Sequence, residues 1–301
     1  KDGKMANGRS SYGNPDNPED DYGRLDINVN TNQATGLSTD WNHINNIDYN
    51  EKRDEIIMSS RENCEIFVID HSISWDEAKG EKGDFVYRWG NPYNYAKDVE
   101  DLAIINSNMH QQLFGPHSIK WIPEGYPGEG EWTIFENGSY RPQFTAHSAI
   151  YQINPYDKNG NYIKEKEAGY DIPKRSDDSF GIVSKQITWK WSTSIYDRFF
   201  HGFYSSHGST VQRLPNGNTL IAASEGGHII EVTLDHQIAW EYLSPFTKDA
   251  MVDMLGPGIE NESGCIRYPL DHPAFKGQNL KPIEIDKKAT SAGSADVGGG
   301  Y

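Results

Sequence analysis

The stretch STVQRLPNGNTLIAASEGGHIIEVTLDHQIAWEY, Ser209 to Tyr242, carries two turn signals, Asn216-Gly217 and Gly226-Gly227, between short runs of alternating apolar and polar residues. Both pairs read as two-residue hairpin turns, because Asn and Gly accept the positive φ that such turns require at their central positions. The turns divide the stretch into strands at about 210–214, 218–224, 228–233 and 238–242. Four short strands joined this way form an antiparallel meander.

The same order recurs twice upstream, the signature of a repeat architecture. The closing strand IAWEYL has counterparts in FVYRWG (Phe85 to Gly90) and ITWKWS (Ile187 to Ser192), each alternating aromatic and polar residues. The copies span roughly 43–90, 117–192 and 208–243. The expected fold is therefore all-β, a β-propeller of four-stranded antiparallel blades that hides its sheet edges by radial packing. A ring needs about four to eight blades. With three in view, the expectation is that another chain, or N-terminal blades outside this sequence, completes the ring. Residues 1–39 read as an irregular segment, 40–280 as the blades and 281–301 as a Gly/Ser-rich tail, flexible or ordered by a partner. Insertions at about 91–116 and 154–185 are long and polar, which makes them candidate walls of a binding site.

Composition narrows the partners. A formal net charge of -16 with no local Lys/Arg cluster argues against nucleic acid. The longest apolar runs, such as EIFVID and HIIEV, fall far short of the roughly 20 residues of a membrane-spanning helix. Cys64 and Cys265 match no metal or redox spacing, and a disulfide between them stays open. The first residue is Lys1, so the expectation is a removed leader or a longer parent chain. The sequons Asn137-Gly138-Ser139 and Asn261-Glu262-Ser263 are short enough to arise by chance.

Register across the copies singles out histidines. His43 and His117 both fall at the start of the first strand of a copy, and His207 lies two residues before the equivalent Ser209. The innermost strand of a blade lines the central channel, so histidines at these points would converge, with a merely hydrogen-bonded structural role as the alternative. No HxH, HExxH or Cys/His spacing accompanies them, which disfavours metal catalysis. No GxSxG elbow supports a serine hydrolase. A carboxylate pair for glycoside hydrolysis, or a glycan-binding funnel of Trp and Tyr, stays open.

Several longer motifs resemble one family. DWNHINNIDYNEKRDEIIMSSRENCEIFVIDHS (Asp40 to Ser72), GDFVYRWGNPYNY (Gly83 to Tyr95), QQLFGPHSIKWIP (Gln111 to Pro123), QRLPNGNTLI and RYPLDHPAFKG are similar, in this order, to bacterial PAPS-independent arylsulfate sulfotransferases. The resemblance runs with gaps from about residue 18 to 280. It implies a six-bladed propeller, in the periplasm or outside the cell, that moves a sulfuryl group from an aryl sulfate to a phenol through a sulfohistidine, without a dissociable cofactor. By motif, His117 corresponds to the nucleophile, His43 and Asn45 of HIN to the active-site His and Asn, and Arg61 of SSR to the active-site arginine. The chemistry suits those types. A neutral imidazole can attack sulfur, Arg offers a planar fork of donors for sulfuryl oxygens, Asn offers a neutral N–H, and a second His can protonate the leaving oxygen. On a regular strand His43 and Asn45, two apart, would face the same way. The family more commonly reads QHDA where this chain has PHSI. Its further upstream histidine has no counterpart here, so a non-catalytic binding or assembly module is the second expectation.

Overall fold

The computed structural model describes residues 42–94, 111–139, 147–164, 183–192, 203–244 and 264–281. It contains three four-stranded antiparallel sheets, each made of consecutive strands. The first is β1 (Ile44–Asn50), β2 (Glu55–Ser60), β3 (Glu65–Asp70) and β4 (Tyr87–Trp89). The second is β5 (His117–Trp121), β6 (Trp132–Glu136), β7 (Ala149–Ile153) and β8 (Ile187–Ser192). The third is β9 (Thr210–Arg213), β10 (Thr219–Ala223), β11 (His228–Val232) and β12 (Ile238–Leu243). A short α-helical turn, α1 (Trp75–Ala78), and a 3-10 turn at Glu81–Gly83 lie between β3 and β4; the start of α1 is fixed by a capping box between Ser74 and Glu77. The protein is thus all-β, built from the four-stranded meanders of a propeller.

First strands meet first strands: β1 lies against β5, and β5 against β9. Each sheet therefore turns its innermost strand to a shared side, as blades do around an axis. The second sheet is sandwiched, and β6 and β7 are buried along their whole length, so WTIFE and AIYQI lack a solvent face. One apolar cluster, with Trp89, Trp132, Tyr87 and Ile57, fills the seam between the first two sheets. Another, with Phe135, Phe203, Ile221 and Val232, fills the seam between the second and third. The outermost strand β12 is largely exposed.

The turns differ from the sequence expectation in detail. After β9, Gly217 N–H bonds to Leu214 O, Leu214 N–H bonds to Asn218 O, and only Gly217 has positive φ. That is a three-residue loop ending in a left-handed glycine, a geometry that Pro215 favours by presetting φ for the first turn position. At Gly226-Gly227 likewise only Gly227 is left-handed. The two-positive-φ reading is corrected, while the hairpins stand where they were expected.

The two cysteines are both free: Cys64 is buried and Cys265 half-buried, so the disulfide is not formed. Cys265 instead lies beside β9, where its N–H and carbonyl both meet the Thr210 hydroxyl. Two residues on, Arg267 N–H and carbonyl pair with the Gln212 side chain. The RYPLDHPAFKG segment is thereby attached to the third sheet without adding a strand. Residues 1–39, nearly all of the tail, and the Asn261 sequon lie outside the described residues. Among those described, no helix is long and apolar enough to cross a membrane.

Candidate active site

The loop before β5 is held from both sides. Glu136 is fully buried and accepts the N–H groups of Phe114 and Gly138, each at 2.9 Å. Gly115 N–H points at the Cys64 sulfur at 3.4 Å, and the Pro116 carbonyl accepts from the Asn45 side-chain amide at 2.8 Å. A loop whose main chain is paired this fully presents the next residue in one orientation. That residue is His117, the first of β5.

His117 is 4% exposed, and its ring lies edge-on to that of His43 with centroids 6.4 Å apart. Burial pushes the imidazole down to about 4, with the Arg61 guanidinium and the neighbouring His43 acting in the same direction and hydrogen bonding to Asn137 and to the Gly115 backbone opposing them. His117 is therefore neutral at physiological pH. Arg61 follows β2, its N–H closes the sheet onto the His43 carbonyl at 3.1 Å, and its guanidinium pairs with Glu62. Both side chains of that pair are mostly buried. Arg61 and Glu62 thus form an ion pair beneath the surface, next to the two histidines.

Asn45 departs from expectation. The β1–β2 register slips between Ile44 and Asn46, so Asn45 sits in a bulge, and His43, just ahead of the strand, is left-handed at φ 45°. Period-two facing does not survive an extra residue and a left-handed one. The Asn45 side chain spans two sheets instead, donating to Pro116 and accepting from the Ser59 hydroxyl at 2.6 Å. His207 is corrected for a related reason. Gly208 and Ser209 are both left-handed, so the chain turns before β9 and His207 faces outward, 3.1 Å from Glu225.

A backbone feature repeats in all three sheets that no residue pattern announces. The left-handed residue at the start of the first strand is His43, Ser118 and Ser209 in turn. By that measure His43 matches Ser118, one position after His117. Ser118 also links sheets, its hydroxyl accepting from Val211 N–H at 3.1 Å. Opposite these points, the residue following the second strand is Arg61, Asn137 and Ser224, and each contacts the start of its own first strand.

Asn137 is the residue that sequence reasoning missed, because Asn-Gly-Ser reads as a turn or a sequon. It is fully buried, which removes it as a glycosylation acceptor, and its Oδ1 lies 2.7 Å from Nδ1 of His117. The only available signal was its place in the repeat, opposite His117 as Arg61 is opposite His43. The described part of the 154–185 insertion does not wall this site. Tyr156 and Tyr162 pair with each other and take Arg53 of the β1–β2 turn over their rings, at the other end of the strands. The described end of the 91–116 insertion does reach it, as the Gln111–Pro116 loop. Among the described residues no cluster of three His, Cys, Asp or Glu side chains could hold a metal ion.

A comparison with curated proteins found no match. Among solved structures, a streptogramin B lyase aligns at 12% identity and a TM-score of 0.32, covering 71% of this chain. The chain spans only 45% of that relative's length. A selenomethionine-substituted virginiamycin B lyase from Staphylococcus aureus aligns at 12% identity and a TM-score of 0.24, over 69% of this chain and 72% of its own. A catalytically inactive variant of virginiamycin B lyase from the same organism, with quinupristin, aligns at 11% identity and a TM-score of 0.24, over 71% and 74%. The family model for Arylsulfotransferase (ASST) matches residues 20–239, well over half of the chain. The chain belongs to the arylsulfotransferase family.

Proposed function

We propose that this protein, in the periplasm or outside the cell, transfers a sulfuryl group from an aryl sulfate to a phenol, with His117 as the covalent carrier. The observation that carries this reading is a buried, neutral His117 whose ring lies 6.4 Å from that of His43, with Arg61 close enough to depress its protonation. A neutral imidazole has a lone pair to give to sulfur, and the flanking basic groups suit an anionic substrate that hydrophobic burial alone would reject.

In the first half-reaction a His117 ring nitrogen forms a bond to sulfur as the bond from sulfur to the aryl oxygen breaks. The electron pair leaves on the phenolate, whose conjugate acid has a pKa of about 10 and so takes a proton readily from His43 or water. In the second, the acceptor phenol loses its proton and bonds to sulfur while the nitrogen recovers its pair. Arg61 and the His43 ring would hold the sulfuryl oxygens. Asn45 contributes indirectly, through the Pro116 carbonyl, by fixing the loop that carries His117.

Incubation with 4-nitrophenyl sulfate and phenol tests the reading. Nitrophenol is expected from the protein but not from His117→Ala, with a sulfuryl adduct on the His117 peptide when phenol is withheld. Release that survives the substitution excludes His117 as the carrier. A second reading, a binding or assembly module, is favoured by the internal engagement of Arg61 with Glu62 and of Asn45 with Pro116. It expects aryl sulfate binding, or none, without turnover.

A further inference from the structure

Asn137 is placed to decide which nitrogen of His117 reacts. Its Nδ2 donates to two main-chain carbonyls, Ser205 O at 2.9 Å and Gly208 O at 3.1 Å, both in the segment leading into β9. Carbonyl oxygens only accept, so a flipped amide would set Oδ1 against two acceptors, and the orientation is determined. The Ser148 hydroxyl fastens the same corner, donating to the Asn137 carbonyl at 3.0 Å and accepting from Ser205 N–H at 3.0 Å. Oδ1 therefore faces Nδ1 of His117 at 2.7 Å, and an acceptor there requires the proton on Nδ1. A neutral imidazole carries one N–H, so the lone pair is left on Nε2.

We propose that Asn137 is a positioning residue that locks His117 in the Nδ1–H tautomer and restricts sulfuryl transfer to Nε2, the lock being held by the Ser205 and Gly208 carbonyls of the neighbouring sheet. The catalytic part of this rests on reading His117 as the sulfuryl carrier. Nε2 gives its pair to sulfur, the bond from sulfur to the aryl oxygen breaks toward phenolate, and the ring, still protonated at Nδ1, becomes cationic. Oδ1 of Asn137 then accepts from a more acidic N–H, a bond that strengthens as charge develops. When the phenol oxygen attacks sulfur, its proton passes to solvent, the nitrogen–sulfur pair returns to Nε2, and the neutral tautomer is restored.

Two-bond proton–nitrogen correlation NMR on the 15N-labelled protein near neutral pH reads the tautomer directly. His117 is expected to show a pyrrole-type Nδ1 and a pyridine-type Nε2, and the opposite assignment overturns the lock. In Asn137→Ala the two nitrogens should move toward averaged shifts. Its kcat should fall by about 100-fold or more with KM changed by less than about three-fold. Asn137→Asp keeps an acceptor for Nδ1–H and should retain the tautomer and recover part of kcat. An alanine variant with wild-type shifts and wild-type kcat also overturns the lock. Should that variant not fold, the wild-type spectrum and the aspartate variant decide. The NMR measurement needs no turnover, so a correct tautomer in a protein that releases no nitrophenol leaves the lock standing and removes the transferase reading. A wrong tautomer in an active protein does the reverse.

Discussion

The side-chain amide of Asn45, on the first strand of one sheet, donates at 2.8 Å to the main-chain carbonyl of Pro116, the residue before His117 in the next. A carbonyl that loses such a partner between two packed sheets goes unsatisfied unless water follows. Asn45→Ala is therefore expected to lower stability by about 1–2 kcal/mol and to reduce kcat through displacement of the Pro116 turn. Urea unfolding and initial rates check this; a rate loss with no stability change would give Asn45 a direct role instead.

The low affinity of buried His117 for a proton has a consequence for acid stability. Its folded value is about 4, below the ordinary value of about 6.5 in an unfolded chain. Between those two pH values the unfolded state binds a proton that the folded state does not, so stability falls as pH falls through the window and levels off below it. The full effect is about 3 kcal/mol. Urea midpoints at pH 7 and pH 4.5 should show a larger loss for the wild type than for His117→Gln. The acid limb of turnover should likewise lie well below pH 6.5.

The first sheet contains a buried ion pair, Arg88 with Glu65, joined by bonds of 2.8 and 2.7 Å and completed by Asn94 at 2.7 Å. Removing only the cation strands a carboxylate in an apolar interior. Arg88→Met should cost about 3–5 kcal/mol, and the double change Arg88→Met with Glu65→Leu should restore most of it. Thermal unfolding of the three variants tests this, and additive losses would contradict it.

The cysteines offer a labelling test. Burial raises the Cys64 thiol pKa above its ordinary value, while Cys265 is half-buried. A thiol reagent should titrate Cys265 slowly in the native protein and Cys64 only after unfolding, giving two thiols without reductant. Finding none would mean the pair is bridged.

Gly90, just after β4, has φ +119°, and a Cβ there would lie 2.8 Å from the Cys64 carbonyl oxygen. Gly90 O also accepts from Gln112 N–H at 2.7 Å, at the head of the loop that ends in His117. Gly90→Ala should cost at least about 2 kcal/mol and lower activity more than its effect on folding alone. Calorimetry with rate measurements on the folded fraction checks both.

The sheets were legible because their information is local. Asn216-Gly217, Gly226-Gly227 and the alternation of IAWEYL state turn and strand within a few residues of where they act. His43 and His117 could be paired because both stand where a first strand begins. What could not be read was anything resting on backbone hand or on contact between distant segments. A left-handed His43 and a bulge at Asn45 reverse side-chain direction without changing the residue pattern. Asn137 is twenty positions from His117, and its own partners lie a sheet further on, in a segment whose YSSHGST offers no sign of acting through its carbonyls.

The seam between the second and third sheets is where Ser118 meets Val211 and where Asn137 meets Ser205 and Gly208. Its apolar part can tolerate a small sliding of one sheet on the other, whereas three directional bonds within reach of one imidazole cannot. Mild denaturant, or any partner that levers the third sheet outward, would silence the histidine while the strands remain paired. Loss of turnover should therefore run ahead of loss of β-structure along a denaturation curve, with the gap between the two midpoints measuring how tightly the third sheet is clasped.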